Sequence, residues 1–207
     1  MPAMPRSREF CPDEALDKAM HVFWAKGYFA TSIEDLVAAT GVSRYGLYSE
    51  FGDKNGLFLA ALQRYEIAVV KPVTALFEQP GSPLASLRRL FETLASYTRQ
   101  PAGKLGCLLF NSVNEMGQHD ETTNGRIMTM RETLAGGIHR LLSNAVQQGE
   151  LPADFDVQRE ADFLFGLLHA LPNLARSGAM PTVIDNVVAV ALSTLDVRDG
   201  SEPRHRR

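Results

Sequence analysis

Ser43, Arg44, Tyr45, Tyr48 and Lys54 lie within a short stretch of the chain, and each carries a donor suited to phosphate oxygens or base edges. No acidic residue falls among the first four. Side chains of this kind, presented along one short helix, could grip a polyanionic backbone and read the groove beside it. That chemistry requires elements that hold the donors out of the core.

The run Thr31–Lys54, TSIEDLVAATGVSRYGLYSEFGDK, supplies them. Thr31 with Glu34 makes a T-x-x-E capping box for a first helix, and Ile33, Leu36 and Val37 share one face at helical spacing. Gly41 follows the last periodic residue, where a left-handed backbone is wanted. Ser43 caps a second helix, with Val42 and Leu47 as a hydrophobic staple. Two helices joined by a short Gly-containing turn form a helix-turn-helix, whose second helix fits a DNA major groove. The same pattern occurs in all-α proteins that never meet DNA, and the cluster of donors is what favours the DNA reading. Ser43, Arg44, Tyr45 and Gly46 are expected to face the groove, and Thr31, Tyr48 and Lys54 to hold phosphates, with Ser32 in the same contact set.

GYFATSIEDLVAATGVSRYGLYSEFGDKNGLF resembles the DNA-binding domain of the TetR family of transcriptional regulators. Gly27-Tyr28, Thr31-Ser32, Ile33, Leu36, Ala39, Gly41-Val42-Ser43, Leu47-Tyr48, Phe51, Lys54 and Leu57-Phe58 carry the resemblance, which extends upstream through Ala15, Ala19 and Phe23. It covers roughly residues 10–60. Two positions depart from it: Gly46 stands where many relatives have Thr or Ser, and Tyr45 where many have Gly or Pro. A glycine inside a helix costs about 1 kcal/mol relative to alanine, so either a softer reading helix or a closer backbone approach to DNA is expected. The resemblance implies a one-component regulator, a repressor released from a palindromic operator by a small-molecule inducer, with no enzymatic activity and no cofactor.

Bulk properties fit. At 207 residues, 45% hydrophobic and 22% charged, the chain can bury a sizeable core. No apolar run approaches the ~20 residues that span a bilayer, and the opening MPAMPRSREF lacks the apolar centre of a signal peptide. A cytoplasmic protein without a membrane partner is expected. The net charge of −3 argues against a non-specific coater of nucleic acid, yet a helix-turn-helix needs only a local stripe of donors. Cys11 and Cys107 suit a reducing compartment. No phosphate-loop glycine motif, zinc-ligand spacing or nucleophile elbow is present.

The expected fold is all-α, about nine helices: a three-helix domain containing the helix-turn-helix, then a helical ligand-binding and dimerisation domain. Residues 1–9 read as a disordered arm with Arg6 and Arg8, 10–60 as the DNA-binding domain, 61–197 as the second domain and 198–207 as a disordered tail. Helices are expected over about 12–26, 54–78, 84–99, 105–116, 121–148, 157–176 and 182–195, besides the two of the motif. Pro72 predicts a kink or break near Lys71, and Gly136-Gly137 a close contact or bend.

The second domain is less diagnostic. A small-molecule pocket lined by Phe110, Asn114, Met130, Leu134, Phe163, Leu167 and His169 is expected. Gly106–Gly117, GCLLFNSVNEMG, is similar to a segment in one group of TetR-like proteins, and in some relatives a cysteine nearby senses electrophiles or oxidants. That resemblance makes Cys107 a candidate redox sensor, its thiol favoured by a helix start and Lys104; a small buried hydrophobe is the plainer reading. Cys107, His119, His139 and His169 have no metal-ligand spacing, so no metal is expected. The two last helices, DFLFGLLHALPNLA and VIDNVVAVALSTL, are apolar nearly all round and need cover on both sides. Phe163, Gly166, Leu167, Ala170, Val187, Val190 and Ala191 are therefore expected at a homodimer interface with twofold symmetry. The competing classes are a helical enzyme or small-molecule binder whose motif is merely structural, and an adaptor that uses the same face for a protein.

Overall fold

The computed structural model describes residues 10–115 and 120–196, and the described residues are helical throughout, with no strand. The expected arm and tail lie outside them, and so does His119. Nine helices follow one another: α1 (Pro12–Lys26), α2 (Ile33–Thr40), α3 (Arg44–Phe51), α4 (Lys54–Tyr65 with its continuation), α5 (Pro83–Thr98), α6 (Leu108–Val113), α7 (Glu121–Gln147), α8 (Val157–Arg176) and α9 (Pro181–Ser193).

Two compact units share these helices. The first runs to Pro72 and takes in Leu105–Arg131; the second holds Val73–Lys104 and the chain from Glu132. This division differs from one drawn at residue 60. Leu57, Phe58, Ala61, Leu62 and Tyr65 of α4 are buried, so α4 belongs to the core of the first unit rather than to a linker beyond it. The unbroken helix α7 passes from one unit to the other.

In the first unit α1 starts on Pro12, ends on Gly27 and buries Ala15, Ala19, Met20, Phe23 and Trp24. The Trp24 indole donates to the Gly106 carbonyl at 3.2 Å. Phe23 meets Phe58 edge-on at 5.0 Å between centroids, and Trp24 meets Tyr65 at 4.9 Å. The turn between α2 and α3 is as the spacing predicts: Gly41 is left-handed (φ 73°, ψ 8°), and the buried Thr40 hydroxyl donates to Leu36 and accepts from the Val42 amide.

Pro72 does not break α4. The backbone stays helical through a π-helical turn (Glu66–Val70), a short α turn (Lys71–Thr74) and a 3-10 turn (Ala75–Glu78). Proline cannot donate, and its ring clashes with the carbonyl four residues back. The π turn just before it widens the ladder, and the Lys71 amide donates to Glu66. The boundary between the units falls directly after Pro72.

In the second unit Ser82 caps α5 by accepting the Ala85 amide at 3.0 Å. The close contact anticipated at Gly136-Gly137 is real, since a Cβ on Gly137 would run into the Phe77 ring. α8 keeps the buried Pro172 inside a continuous helix, and ion pairs Arg88–Asp196 and Arg99–Asp185 tie α5 to α9 and its end.

Candidate nucleic-acid interface

The capping box of α2 is one residue later than the sequence suggests. Ser32 is the cap: it accepts the Asp35 amide at 3.0 Å, and the Asp35 carboxylate accepts the Ser32 amide at 3.0 Å. Thr31 is 1% exposed, and its hydroxyl donates to the Gly27 carbonyl at 2.6 Å. That bond leaves Thr31 in the core and removes its side chain from the contact set; Ser32 is the exposed hydroxyl at this helix start. Lys26 pairs with Asp35 at 2.6 Å. That bond, with those from Ser32, holds the Asp35 carboxyl down at about 2.

Ser43 caps α3 by accepting the Gly46 amide at 3.1 Å. Leu47 points into the core, and Arg44 and Tyr45 point out; Tyr45 is 84% exposed. The Arg44 guanidinium lies 5.3 Å from the Tyr48 ring centroid, a cation–π contact that orders it without using its hydrogen-bond donors. Gly46 differs from the expectation. A Cβ there would sit 2.8 Å from Val42 Cγ1 and 3.5 Å from the Phe10 ring, so glycine lets α3 pack against its own turn and is not spent on a groove contact. Phe10, expected to staple back onto α1, has its ring beside α3.

Asp53 caps α4 through the Gly56 amide at 2.7 Å. A Cβ at Gly56 would collide with the Phe51 carbonyl, so the step from α3 to α4 is tight and fixes Lys54 relative to Arg44. The Lys54 ammonium lies 4.4 Å from the Tyr28 ring centroid. Serine, arginine and exposed tyrosine along α3, with a lysine at the next helix start, make a surface of donors at one end of the first unit.

Comparisons with known proteins agree with that geometry. Residues 15–61 match the family described as bacterial regulatory proteins, tetR family, and residues 83–190 the tetracyclin repressor-like C-terminal domain. The chain is 31% identical to the HTH-type transcriptional repressor ComR of Escherichia coli K12, over 92% of this chain and 90% of that one. It belongs to the TetR family. The relation to YezE of Bacillus subtilis strain 168, described as an uncharacterized HTH-type transcriptional regulator, is also 31%, over 93% of this chain and 100% of the relative. Among solved structures, a cysteine mutant of the TetR-family regulator CifR with 26-base-pair operator DNA is 27% identical, with a TM-score of 0.77 over 91% of this chain and 98% of that one. This TetR-family chain is thus a helix-turn-helix transcriptional regulator and not an enzyme. Among its described residues no helix is long and apolar enough to cross a membrane, and no group of three or more His, Cys, Asp or Glu could hold a metal.

The second set of expected residues is scattered. Phe110, Met130 and Leu134 are buried, Asn114 is exposed and His169 is half-buried. A cleft of about 460 Å³ in the second unit is lined by Arg88, Glu92, Arg99, Asp185, Val188 and Leu192 among others, and by none of the seven. Phe163 is 42% exposed and shares an outer stripe of α8 with Gly166, Leu167 and Ala170. Val190, 66% exposed, lies with Val183 and Val187 on α9. Ala191 is fully buried in its own subunit; one residue on from Val190, it is turned about 100° to the inner face.

Cys107 precedes α6, and the Tyr65 hydroxyl donates to its sulfur at 3.2 Å. Burial pushes the thiol up, outweighing the opposite pull of Tyr65 and of the Phe110 and Leu109 amides. The lowered thiol expected at a helix start beside Lys104 is therefore not what these surroundings produce. Cys11 is exposed. In the folded protein iodoacetamide should label Cys11 many times faster than Cys107, read by peptide mass spectrometry. Equal labelling would show that Cys107 is an activated thiol after all.

Proposed function

We propose that this regulator binds a palindromic operator as a homodimer, most often to repress, and is released by a small-molecule inducer. The observation that carries the reading is the outer face of α3, where Arg44 and Tyr45 stand in solvent on a helix anchored from beneath by Leu47 and Val42. Ser43, Arg44 and Tyr45 read the major groove; Ser32, Tyr48 and Lys54 hold phosphates. Phosphate contacts set register and base contacts set sequence. Two copies related by a twofold axis place two such helices on half-sites a turn or more apart. The apolar stripes of α8 and α9 supply the surface for that axis. The operator complex of the CifR mutant supports the choice of double-stranded DNA. Such a reader of chromosomal DNA works in the cytoplasm.

An inducer fits best among the helices of the C-terminal domain, whose buried apolar side chains include Phe110, Met130 and Leu134. The test is selection of bound sequences from a random duplex library at near-physiological salt. A palindromic motif is the expected outcome. No enrichment from folded, reduced protein would overturn the reading.

A further inference from the structure

Lys54 and Asn55 open α4, and both are engaged by side chains from far along the chain. The Glu115 carboxylate, just after α6, accepts the Tyr28 amide at 3.0 Å. Its other oxygen lies 2.5 Å from where a Cβ on Gly27 would stand, and Gly27 has φ 84°. Glu115 therefore sets the backbone of the α1–α2 connection, and glycine is needed for it to approach. Tyr28, so placed, packs against Phe58 at 4.9 Å and carries the Lys54 ammonium over its ring. At the other end of the α6–α7 connection, Asp120 accepts the Asn55 amide at 2.7 Å and the Thr123 hydroxyl at 3.0 Å. The first turn of α4 is thus held from both ends of that connection.

We propose that Glu115, acting through Tyr28, is a positioning residue for DNA binding: it presets Lys54 for its phosphate. The proposal rests on the reading of Lys54 as a phosphate contact. A lysine free in solvent loses much rotamer freedom on binding, whereas one already stacked on a fixed ring has lost part of it beforehand. Glu115 also acts on charge. Burial pulls the Lys54 ammonium down, and the carboxylate opposes that pull, so the lysine meets DNA charged. Because α7 continues into the second unit, the same grip gives events there a route to a DNA-contacting side chain without moving α3.

A double-mutant cycle on a mixed-sequence duplex tests this, with anisotropy titrations across a range of salt. Lys54→Ala should lower affinity several-fold and reduce the salt slope by about one, the mark of one lost phosphate contact. Glu115→Ala should do the same, and the double variant should lose about one unit of slope, not two. Glu115→Gln, which keeps an acceptor for the Tyr28 amide, should lie between wild type and Glu115→Ala. Should Glu115→Ala fail to fold, Tyr28→Leu removes the platform and must couple to Lys54→Ala in the same way. Additive losses, or an unchanged slope in Glu115→Ala, overturn the proposal while leaving Lys54 as a contact. An unchanged slope in Lys54→Ala shows instead that the phosphate contact itself is wrong.

Discussion

Arg44→Ala should abolish sequence selection: affinity for the selected operator falls about ten- to a hundredfold, the ~1–3 kcal/mol carried by one well-formed base contact in each half-site. Affinity for unrelated duplex should fall much less. Arg44 is the first residue of α3 and is exposed, and no ion pair between described residues uses it. Its one close neighbour is the Tyr48 ring, which orders the guanidinium and leaves its donors facing outward. Removing it costs the fold little, so the melting temperature should hold. Arg44→Lys separates charge from shape: lysine keeps the attraction to phosphate but lacks the planar fork, so it should recover non-specific affinity without the selectivity. Paired titrations on operator and scrambled duplex measure both. Unchanged selectivity in Arg44→Ala would move base reading elsewhere on α3.

Much of this was legible in the chain, for local reasons. Turn glycines, helix caps and apolar periodicity act over a few residues, so Gly41, Ser43 and the extents of most helices followed from spacing alone. The error at the start of α2 is instructive. Thr31 with Glu34 and Ser32 with Asp35 both offer a hydroxyl and a carboxylate three residues apart. Only the core decides between them, because Thr31 is buried against the end of α1 and its hydroxyl is already committed to Gly27. Gly46 misled for a similar reason: its neighbour Val42 lies four residues back, but the crowding depends on how tightly α2 and α3 turn.

Long-range features were invisible. Glu115 meets Tyr28 across 87 positions of sequence, and nothing local marks either as a partner of the other. Pro72 announced a disturbance in α4 but not its form, since a break, a kink and a π turn all relieve the same clash. In the last two helices apolar residues on several faces could be assigned to pocket or to dimer, and Phe163 and Leu167 were assigned to both. Their position on the outer stripe of α8 favours the second use, and the full burial of Ala191 withdraws it from that surface.

That stripe carries the other large effect. Phe163→Glu together with Val190→Glu should leave a folded monomer that binds the palindromic operator at least a hundredfold more weakly. Both side chains are substantially exposed in the single subunit, at 42% and 66%, so a carboxylate at either site costs the subunit's own core little. At an isologous interface every substitution occurs twice, and near the axis the new charges face each other across a desolvated surface. The effect on DNA is larger than the interface residues suggest, because two tethered half-sites gain roughly 10²–10⁴ in avidity over one. Analytical ultracentrifugation reports the oligomer, far-UV circular dichroism the fold, and titration on whole and half operators the avidity. A monomer that still binds the half-operator as well as the wild-type subunit does would separate reading from assembly. A variant that remains dimeric would place the twofold axis on another face of the second unit.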